Sequence, residues 1–129
     1  MIRVSAAIII KGSKILCAQR PENTTLPLLW EFPGGKIEPD ESAEEALVRE
    51  ITEEMDCTIN VHSFFDSTVY EYDFGTVELN TFLCTLAYEE PSLLEHHQAK
   101  WLTQDELSTL DWAPADIPAV KKLQAMENL

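Results

Sequence analysis

The chain begins with two apolar, β-prone runs separated by a short polar turn. The first run is VSAAIII, the second is ILCAQR, and KGSK lies between them. Runs of this length around a Gly-Ser turn are typical of a β-hairpin. The next stretch, PENTTLPLLWEF, holds two prolines and predicts a loop that ends in an aromatic segment, and PGG after it predicts a break.

A helical periodicity follows this break. It begins near Ser42, with Pro39 and Asp40 just ahead as start signals, and it is expected to end near Asp56. At about 100° per residue, the apolar positions that share one side of this helix are Ala43, Ala46, Leu47 and Ile51.

The second half of the chain alternates between strand-like and helix-like patterns. CTINVHSFFDSTVYEY and VELNTFLCTLAY are rich in β-branched and aromatic residues and predict two strands around a turn at DFG. PSLLEHHQ predicts a loop and AKWL a short strand, while TQDELSTL and PADIPAVKKLQAMENL predict helices. Strands mixed with two or three helices favour an α/β (α+β) sandwich over a doubly wound nucleotide fold.

Length and cysteine usage fit one domain in a reducing compartment. The 129 residues are 45% apolar and 25% charged, which is ordinary for a globular protein with its own core. The cysteines Cys17, Cys57 and Cys84 are odd in number and widely spaced, which argues against disulfides and against a CxxC zinc site. From this cysteine usage we expect a cytoplasmic protein. The sequence has no apolar run of about 18 residues, so we expect no transmembrane helix.

The charge limits the classes of partner. A formal net charge of −14 repels duplex nucleic acid and anionic membrane surfaces, so we expect neither as a partner. A small phosphate-bearing substrate is compatible with this charge if divalent cations or a few placed basic groups offset it. Most of the acidic excess is interpreted as a surface that keeps the protein soluble.

Three glutamates of the predicted helix lie where apolar residues are expected. Glu50 and Glu54 fall inside or beside the apolar arc, and Glu53 lies at its flank. Unpaired carboxylates are costly to desolvate, so they are either solvated at an edge, paired with a base, or bound to a hard cation. Arg49 is the one base nearby and cannot neutralise all three.

A glycine loop just before the helix shifts this balance towards a cation site. Gly34 and Gly35 allow backbone amides and carbonyls to approach a ligand closely. Glu50, Glu53 and Glu54 are three and four residues apart, so their carboxylates can converge on one ligand.

The stretch GKIEPDESAEEALVREITEEMDC resembles the Nudix box, Gx5Ex7REUxEExGU with U apolar. The residues at the required spacing are Gly35, Glu41, Arg49, Glu50, Ile51, Glu53, Glu54 and Cys57. The one departure is Asp56, which stands where the family usually has Gly. That position ends the helix, often with positive φ, which Asp tolerates better than most residues.

Flanking segments extend the resemblance over most of the chain. LLWEFPGGKIEPDE is similar to the MutT branch, which cleans the nucleotide pool, and LLEHHQAKWL and WAPADIP resemble its CTP pyrophosphohydrolase group. The resemblance implies one Nudix domain over residues 1–129, with a mixed β-sheet sandwiched between helices. It also implies hydrolysis of a nucleoside triphosphate to a monophosphate and pyrophosphate with Mg²⁺, for which Mn²⁺ can substitute.

The implied substrates are CTP, dCTP, or modified and oxidised nucleotides such as 8-oxo-dGTP, acted on by a monomer or homodimer. Alternatives within the family are ADP-ribose or dinucleoside polyphosphates. A non-catalytic nucleotide-binding module is the alternative from another class.

The resemblance also implies roles for individual residues. The implied metal ligands are the Gly34 carbonyl, Glu50, Glu53, Glu54 and Glu95. Glu53 and Glu54 also count as catalytic, Arg49 is implied to orient a glutamate such as Glu53, and Glu95 is implied as a ligand or general base. The alternative for Glu95 is an ordinary exposed loop acid.

Substrate contacts are implied for a second set of residues: Arg20, Glu31, Phe32, Gly35, Lys36 and Asp116. Carboxylates such as Glu31 and Asp116 suit an amino-bearing base. The alternatives are a surface salt bridge for Arg20, a core position for Phe32 and a helix N-cap for Asp116.

Overall fold

A computed structural model describes residues 1–129 and consists of seven strands, two α-helices and two short 3-10 helices. The strands are β1 (Ile2–Lys11), β2 (Lys14–Gln19), β3 (Trp30–Glu31), β4 (Gly34–Lys36), β5 (Ile59–Tyr72), β6 (Gly75–Leu86) and β7 (Gln98–Leu102). The α-helices are α1 (Ala43–Met55) and α2 (Ile117–Ala125), and the 3-10 helices are Gln104–Thr109 and Pro114–Asp116. Neither α-helix is long and apolar enough to cross a membrane.

Strand β1 is the organising strand of a mixed sheet. It runs parallel to β6 along most of its length, and β5 pairs antiparallel with β6 at the far edge. The other edge of β1 pairs first with β4 and then, at Ile10 and Lys11, with β2. Strand β2 in turn carries β3 and β7.

The apolar run of β1 is buried on both faces because a helix covers each side of the sheet. Ala6 and Ile8 belong to the core under α2, whereas Ala7 and Ile9 belong to the core under α1. Successive residues of a strand point to opposite faces, so a sheet with two covered faces needs an uninterrupted apolar run. The predicted mixed sheet between helices is confirmed.

Three predictions of local structure were wrong in type or extent. PGG, expected to be a break, forms most of β4, and Trp30–Glu31 forms a strand inside the predicted loop. TQDELSTL forms the predicted helix, which is of the 3-10 type. The last α-helix begins at Ile117, one residue before Pro118, and ends at Ala125.

Gly34 shows why the break was mispredicted. A Cβ at this position would lie 2.0 Å from the Ser5 carbonyl oxygen and 2.7 Å from the Ala6 Cα of β1. The glycine is therefore required for close contact between two strands and not for a turn. A single sequence does not separate these two uses of glycine.

Helix α1 has local signals at both ends. Ser42 Oγ accepts from the Glu45 N–H at 3.1 Å, and Glu45 Oε1 accepts from the Ser42 N–H at 2.8 Å, which completes a capping box. At the other end Asp56 has φ 47° and ψ 45°, and its N–H donates to the Thr52 carbonyl. The positive φ expected at Asp56 is confirmed.

This conformation predicts that Asp56→Gly stabilises the protein by about 0.5–1 kcal/mol. Glycine adopts the left-handed region without a Cβ penalty, and the change also removes a negative charge from a helix C-terminus. Urea denaturation of the two proteins measures the difference, with Asp56→Ala as the matched control, expected to be less stable than Asp56→Gly. A glycine variant less stable than the parent would contradict this account of the helix end.

Candidate active site

Glu54 lies at the centre of an acidic cluster. Its pKa is raised to about 8, first by burial and then by the charges of Glu50, Glu31 and Glu95. These acids come from α1, β3 and the loop before β7, so only the fold brings them together. A carboxyl that the fold itself keeps from ionising marks a candidate functional site, because a bound cation reverses the penalty.

Arg49 binds the neighbouring carboxylates unequally. Its Nη2 and Nε donate to the two oxygens of Glu41 at 2.6 and 3.0 Å, and its Nη1 donates to Glu50 at 3.0 Å. The contact to Glu53, the glutamate named as an example in the sequence analysis, is 3.4 Å long, and the Glu53 side chain is 60% exposed. Arg49 thus orients Glu50 and ties Glu41 to α1, and its hydrogen bonds help to lower the pKa of Glu41 to about 2.

Gly35 makes room for the Glu50 carboxylate. A Cβ on Gly35 would lie 2.2 Å from Glu50 Cδ and 2.3 Å from Glu50 Oε2. The side chain of Glu50 therefore lies directly against the backbone of β4, as the glycine loop suggested. Only glycine permits this approach.

The cluster fits a hard divalent cation. Its donors are carboxylate oxygens, one of which, Glu50 Oε2, lies beside the Gly35 backbone, and the half-buried Glu54 lies within the charge of three other acids. The side chains do not already form a complete set of three metal ligands, since Arg49 binds Glu50 and Glu53 is exposed. Glu50, Glu53 and Glu54 are the residues that would hold the ion.

A cavity of about 360 Å³ opens beside Glu54. Its lining is mostly apolar, and it includes every residue for which the sequence implied a substrate contact: Arg20, Glu31, Phe32, Gly35, Lys36 and Asp116. Gly34 lines it as well. An apolar cleft with a few polar groups at its edge is the usual form of a small-molecule site.

Asp116 is buried in the cavity wall. Its Oδ2 accepts from the Phe32 N–H at 3.0 Å, across 84 residues of sequence, and its side chain makes no capping bond to α2. Asp116 thus occupies the N-cap position of α2, as the alternative expected, but its side chain bonds to Phe32 instead of capping the helix. Burial, and then the charge of Glu31, raise the pKa of Asp116 well above its usual value.

Arg20 is engaged by the protein in this structure. Its Nη1 donates to Glu31 at 2.9 Å, and its Nε and Nη2 donate to the Thr25 carbonyl and hydroxyl oxygens. Nη2 also reaches Thr24. All three nitrogens are thus satisfied internally, and Arg20 holds Glu31 and the loop after β2, which adds a loop-binding role to the expected salt bridge.

His96 was not predicted at the site. Its Nε2 lies 3.0 Å from Glu31 Oε2, its side chain is only 4% exposed, and its Nδ1 has no partner. The unpaired Nδ1 indicates the tautomer in which Nε2–H donates to Glu31. Glu31 is therefore held through both oxygens, by Arg20 and by His96. The position of His96 directly after Glu95 was the only signal in the sequence that His96 lies at the site.

Glu95 and Lys36 differ in their relation to the cavity. Glu95 is an exposed loop residue outside the cavity lining, but its charge acts on Glu54. Lys36 lines the cavity, and its side chain makes no ion pair, while its carbonyl accepts from Arg49.

Aromatic residues of the β5–β6 hairpin form a wall of the cavity that no sequence motif marked. Tyr72 and Phe74 line it, with nearly parallel rings whose centroids are 5.0 Å apart. Phe32 also lines the cavity and packs on Trp112 at 4.8 Å, whereas Trp30 is a core residue. A lining of this kind suits a planar ring ligand.

Comparisons with known proteins agree with this geometry. The NUDIX domain family matches residues 1–123. The CTP pyrophosphohydrolase of Escherichia coli (strain K12) is 38% identical over 126 residues, which cover 98% of this chain and 93% of that protein. The 8-oxo-dGTP diphosphatase of the same organism is 31% identical over 116 residues, which cover 90% of each chain.

A solved structure extends the match to three dimensions. The solution NMR structure of the DNA mismatch repair protein MutT (family Nudix hydrolase) from methicillin-resistant Staphylococcus aureus 252 is 54% identical, with a TM-score of 0.79 over 95% of both chains. Nudix hydrolases act on small nucleotide substrates and use divalent metal cations. The chain therefore belongs to the Nudix family and is a nucleotide pyrophosphohydrolase.

Proposed function

We propose that residues 1–129 form one Mg²⁺-dependent nucleoside triphosphate pyrophosphohydrolase domain, which converts NTP and water into NMP and pyrophosphate. The observation that carries this proposal is that the acidic cluster and the aromatic cavity adjoin each other and share Glu54. The acidic cluster at Glu54 suits a cation-bound polyphosphate, and the aromatic cavity that Glu54 lines suits a planar base. A nucleotide has both parts within one molecule.

The polyphosphate end is assigned to the acidic cluster. Bound Mg²⁺ supplies charge neutralisation of the phosphates and activation of water, and Mn²⁺ meets the same oxygen donors. Glu50, Glu53, Glu54 and the Gly34 carbonyl are the groups that would hold it. Arg49 keeps Glu50 in place through the 3.0 Å bond from Nη1.

Two further side chains, Lys36 and Glu95, are assigned to the polyphosphate end of the substrate. Lys36 is the basic side chain of the cavity without an ion pair, so it contacts a phosphate more directly than Arg20 does. Glu95, an acid whose charge reaches Glu54, serves as a further ligand or as the general base that takes the proton from water.

The base end is assigned to Glu31 and Asp116. Glu31, held by Arg20 and His96, accepts from an exocyclic amine, and Asp116, when protonated, donates to a ring nitrogen or carbonyl. This pairing suits cytosine nucleotides and amino-bearing modified bases. The matches to a CTP pyrophosphohydrolase and an 8-oxo-dGTP diphosphatase support CTP, dCTP or 8-oxo-dGTP as substrates.

A nucleotide panel compared by kcat/KM at low micromolar concentration tests this assignment. We expect pyrophosphate release from CTP, dCTP or 8-oxo-dGTP to exceed that from UTP and dTTP by at least about tenfold, which is about 1.4 kcal/mol of discrimination. Preferential cleavage of ADP-ribose or a dinucleoside polyphosphate would contradict the triphosphate assignment. Tight binding without turnover in Mg²⁺ would indicate a non-catalytic module.

We infer a role in cleaning or balancing the cytoplasmic nucleotide pool, and through it in limiting DNA damage. All three cysteines are unpaired and buried, and burial raises the pKa of Cys17 and Cys84 to about 12, so these thiols are unreactive. Such thiols are compatible with a reducing compartment.

A further inference from the structure

The segment Ala113–Asp116 spans the gap between two walls of the cavity. On one side it is bonded to β3 and the residue after it. The Ala113 N–H donates to the Trp30 carbonyl at 2.8 Å, and Asp116 Oδ2 accepts from the Phe32 N–H at 3.0 Å. The position of the Asp116 carboxyl relative to Glu31 and Phe32 is therefore fixed by backbone groups.

On the other side one hydrogen bond ties this segment to the β5–β6 hairpin. The Ala115 N–H donates to the Tyr72 hydroxyl oxygen at 2.8 Å, and no other hydrogen bond joins Ala113–Asp116 to β5 or β6. Ala115 is only 3% exposed, so its N–H has no ready replacement in water. A buried N–H without an acceptor is strongly disfavoured, which makes the bond to Tyr72 a firm constraint.

The same side chain also forms part of the aromatic wall. The Tyr72 ring lines the cavity and is stacked on Phe74, with an angle of 10° between the ring planes. Its other neighbour, Tyr70, has its ring centroid 4.6 Å away and is 40% exposed. The ring of Tyr72 thus belongs to one wall, while its hydroxyl holds the segment that carries Asp116.

We propose that Tyr72 is a positioning residue that sets the spacing between the aromatic wall and the Asp116 carboxyl and thereby selects the nucleobase. The proposal rests on the proposed function, since it assigns the cavity to a base. A planar base needs contact on its ring face and hydrogen bonds along its edge at the same time. A hydrogen bond weakens steeply when donor and acceptor move apart or tilt, so a small shift of Asp116 against the wall reduces discrimination.

Burial raises the pKa of the Tyr72 hydroxyl above its ordinary value. The hydroxyl therefore keeps its proton throughout the neutral range, and the bond to Ala115 does not depend on pH there.

Tyr72→Phe is the sharpest test, because it keeps the ring and removes one oxygen atom. We expect kcat/KM for the preferred nucleotide to fall about tenfold, mostly through KM, and the preference over UTP to fall by a similar factor. Inhibition by Mg²⁺-tripolyphosphate, which has no base, is expected to stay within about twofold of the parent. Tyr70→Phe is the matched control, since that hydroxyl has no hydrogen bond, and it is expected to leave every value unchanged.

Two results would overturn the inference. One is a Tyr72→Phe variant that keeps the parent's preference among bases. The other is an equal loss of affinity for all nucleotides and for tripolyphosphate, which indicates a general structural role. If the parent binds nucleoside monophosphates with base selectivity but hydrolyses no triphosphate, the proposed function fails while this inference stands.

A measurement on the parent protein alone does not depend on how the variant folds. In an NMR titration with CMP, the Ala115 amide and the Tyr72 ring resonances are expected to shift together, with one dissociation constant. CMP binding that leaves both unchanged at saturation would contradict the proposal.

Discussion

Replacing Glu54 by Gln is expected to lower kcat for nucleoside triphosphates by about a thousandfold or more and to stabilise the metal-free protein. The loss of activity follows because Glu54 is the buried acid of the proposed cation cluster, and an amide is a poor substitute for a carboxylate ligand. The gain in stability follows because the amide removes a charge that burial and three neighbouring acids disfavour. A substitution that lowers activity but raises stability indicates that the carboxyl serves function and not folding.

The stability gain has a defined pH dependence. The pKa of Glu54 in the folded protein, about 8, is above its ordinary value of 4.5, so the folded state binds the proton more tightly than the unfolded state. Stability of the parent is therefore lost as pH rises between these values, and the advantage of Glu54→Gln grows over the same range. Allowing for solvent screening, we expect about 1–3 kcal/mol at pH 8.5, or several degrees in Tm, and little at pH 4.5.

Thermal melts in EDTA at both pH values, with kcat measured in Mg²⁺, test this prediction. Glu44→Gln is the matched control, because Glu44 is an exposed acid of the first turn of α1 and lies outside the cluster. The control is expected to keep its kcat and its pH profile. A Glu54→Gln variant with the parent's turnover, or with lower stability at pH 8.5, would show that the cluster was wrongly assigned.

Alanine at the two adjacent glycines is expected to affect different properties. Gly34→Ala lowers stability, whereas Gly35→Ala weakens activation by Mg²⁺. Gly34→Ala places a Cβ 2.0 Å from the backbone oxygen of Ser5, so two strands must separate, and we expect a loss of about 3 kcal/mol or more. Gly35→Ala places a Cβ 2.2 Å from the Glu50 side chain, which can swing away. We therefore expect stability within about 1 kcal/mol of the parent but about 10–100-fold weaker Mg²⁺ activation.

Urea denaturation and Mg²⁺ titration of activity separate the two outcomes, and each variant serves as the control for the other. Gly35→Ala with unchanged Mg²⁺ dependence would mean that Glu50 has no part in cation binding. Gly34→Ala with the stability of the parent would contradict the close contact of β4 with β1.

Features encoded locally were predictable from the sequence. Helix α1 was predicted from near Ser42 to near Asp56 because Pro39 and Asp40 signal a helix start just ahead of an apolar periodicity, and the structure shows that Ser42 and Asp56 cap it. Its glutamates at apolar positions indicated a cation site, since a carboxylate on a packing face needs a specific reason. The cavity likewise brings together the six residues that the resemblance implied for substrate binding.

Features that depend on contacts distant in sequence were missed. Strand β4 forms because Gly34 fits against β1, and the bond between Asp116 and Phe32 joins residues 84 positions apart. Tyr72 had no motif around it, because its role depends on a backbone amide of another element. Arg20 was implied as a substrate contact, and the sequence does not show that its side chain already donates to Glu31 and Thr25.

Phosphorus NMR of a CTP or 8-oxo-dGTP reaction, with Mg²⁺ and with EDTA, tests the central claim most directly. The site geometry predicts equal amounts of nucleoside monophosphate and pyrophosphate with Mg²⁺, no turnover in EDTA, and none with Glu54→Gln. Formation of nucleoside diphosphate and inorganic phosphate, or turnover that persists in EDTA, would contradict the assignment of the acidic cluster as the cation site of a pyrophosphohydrolase.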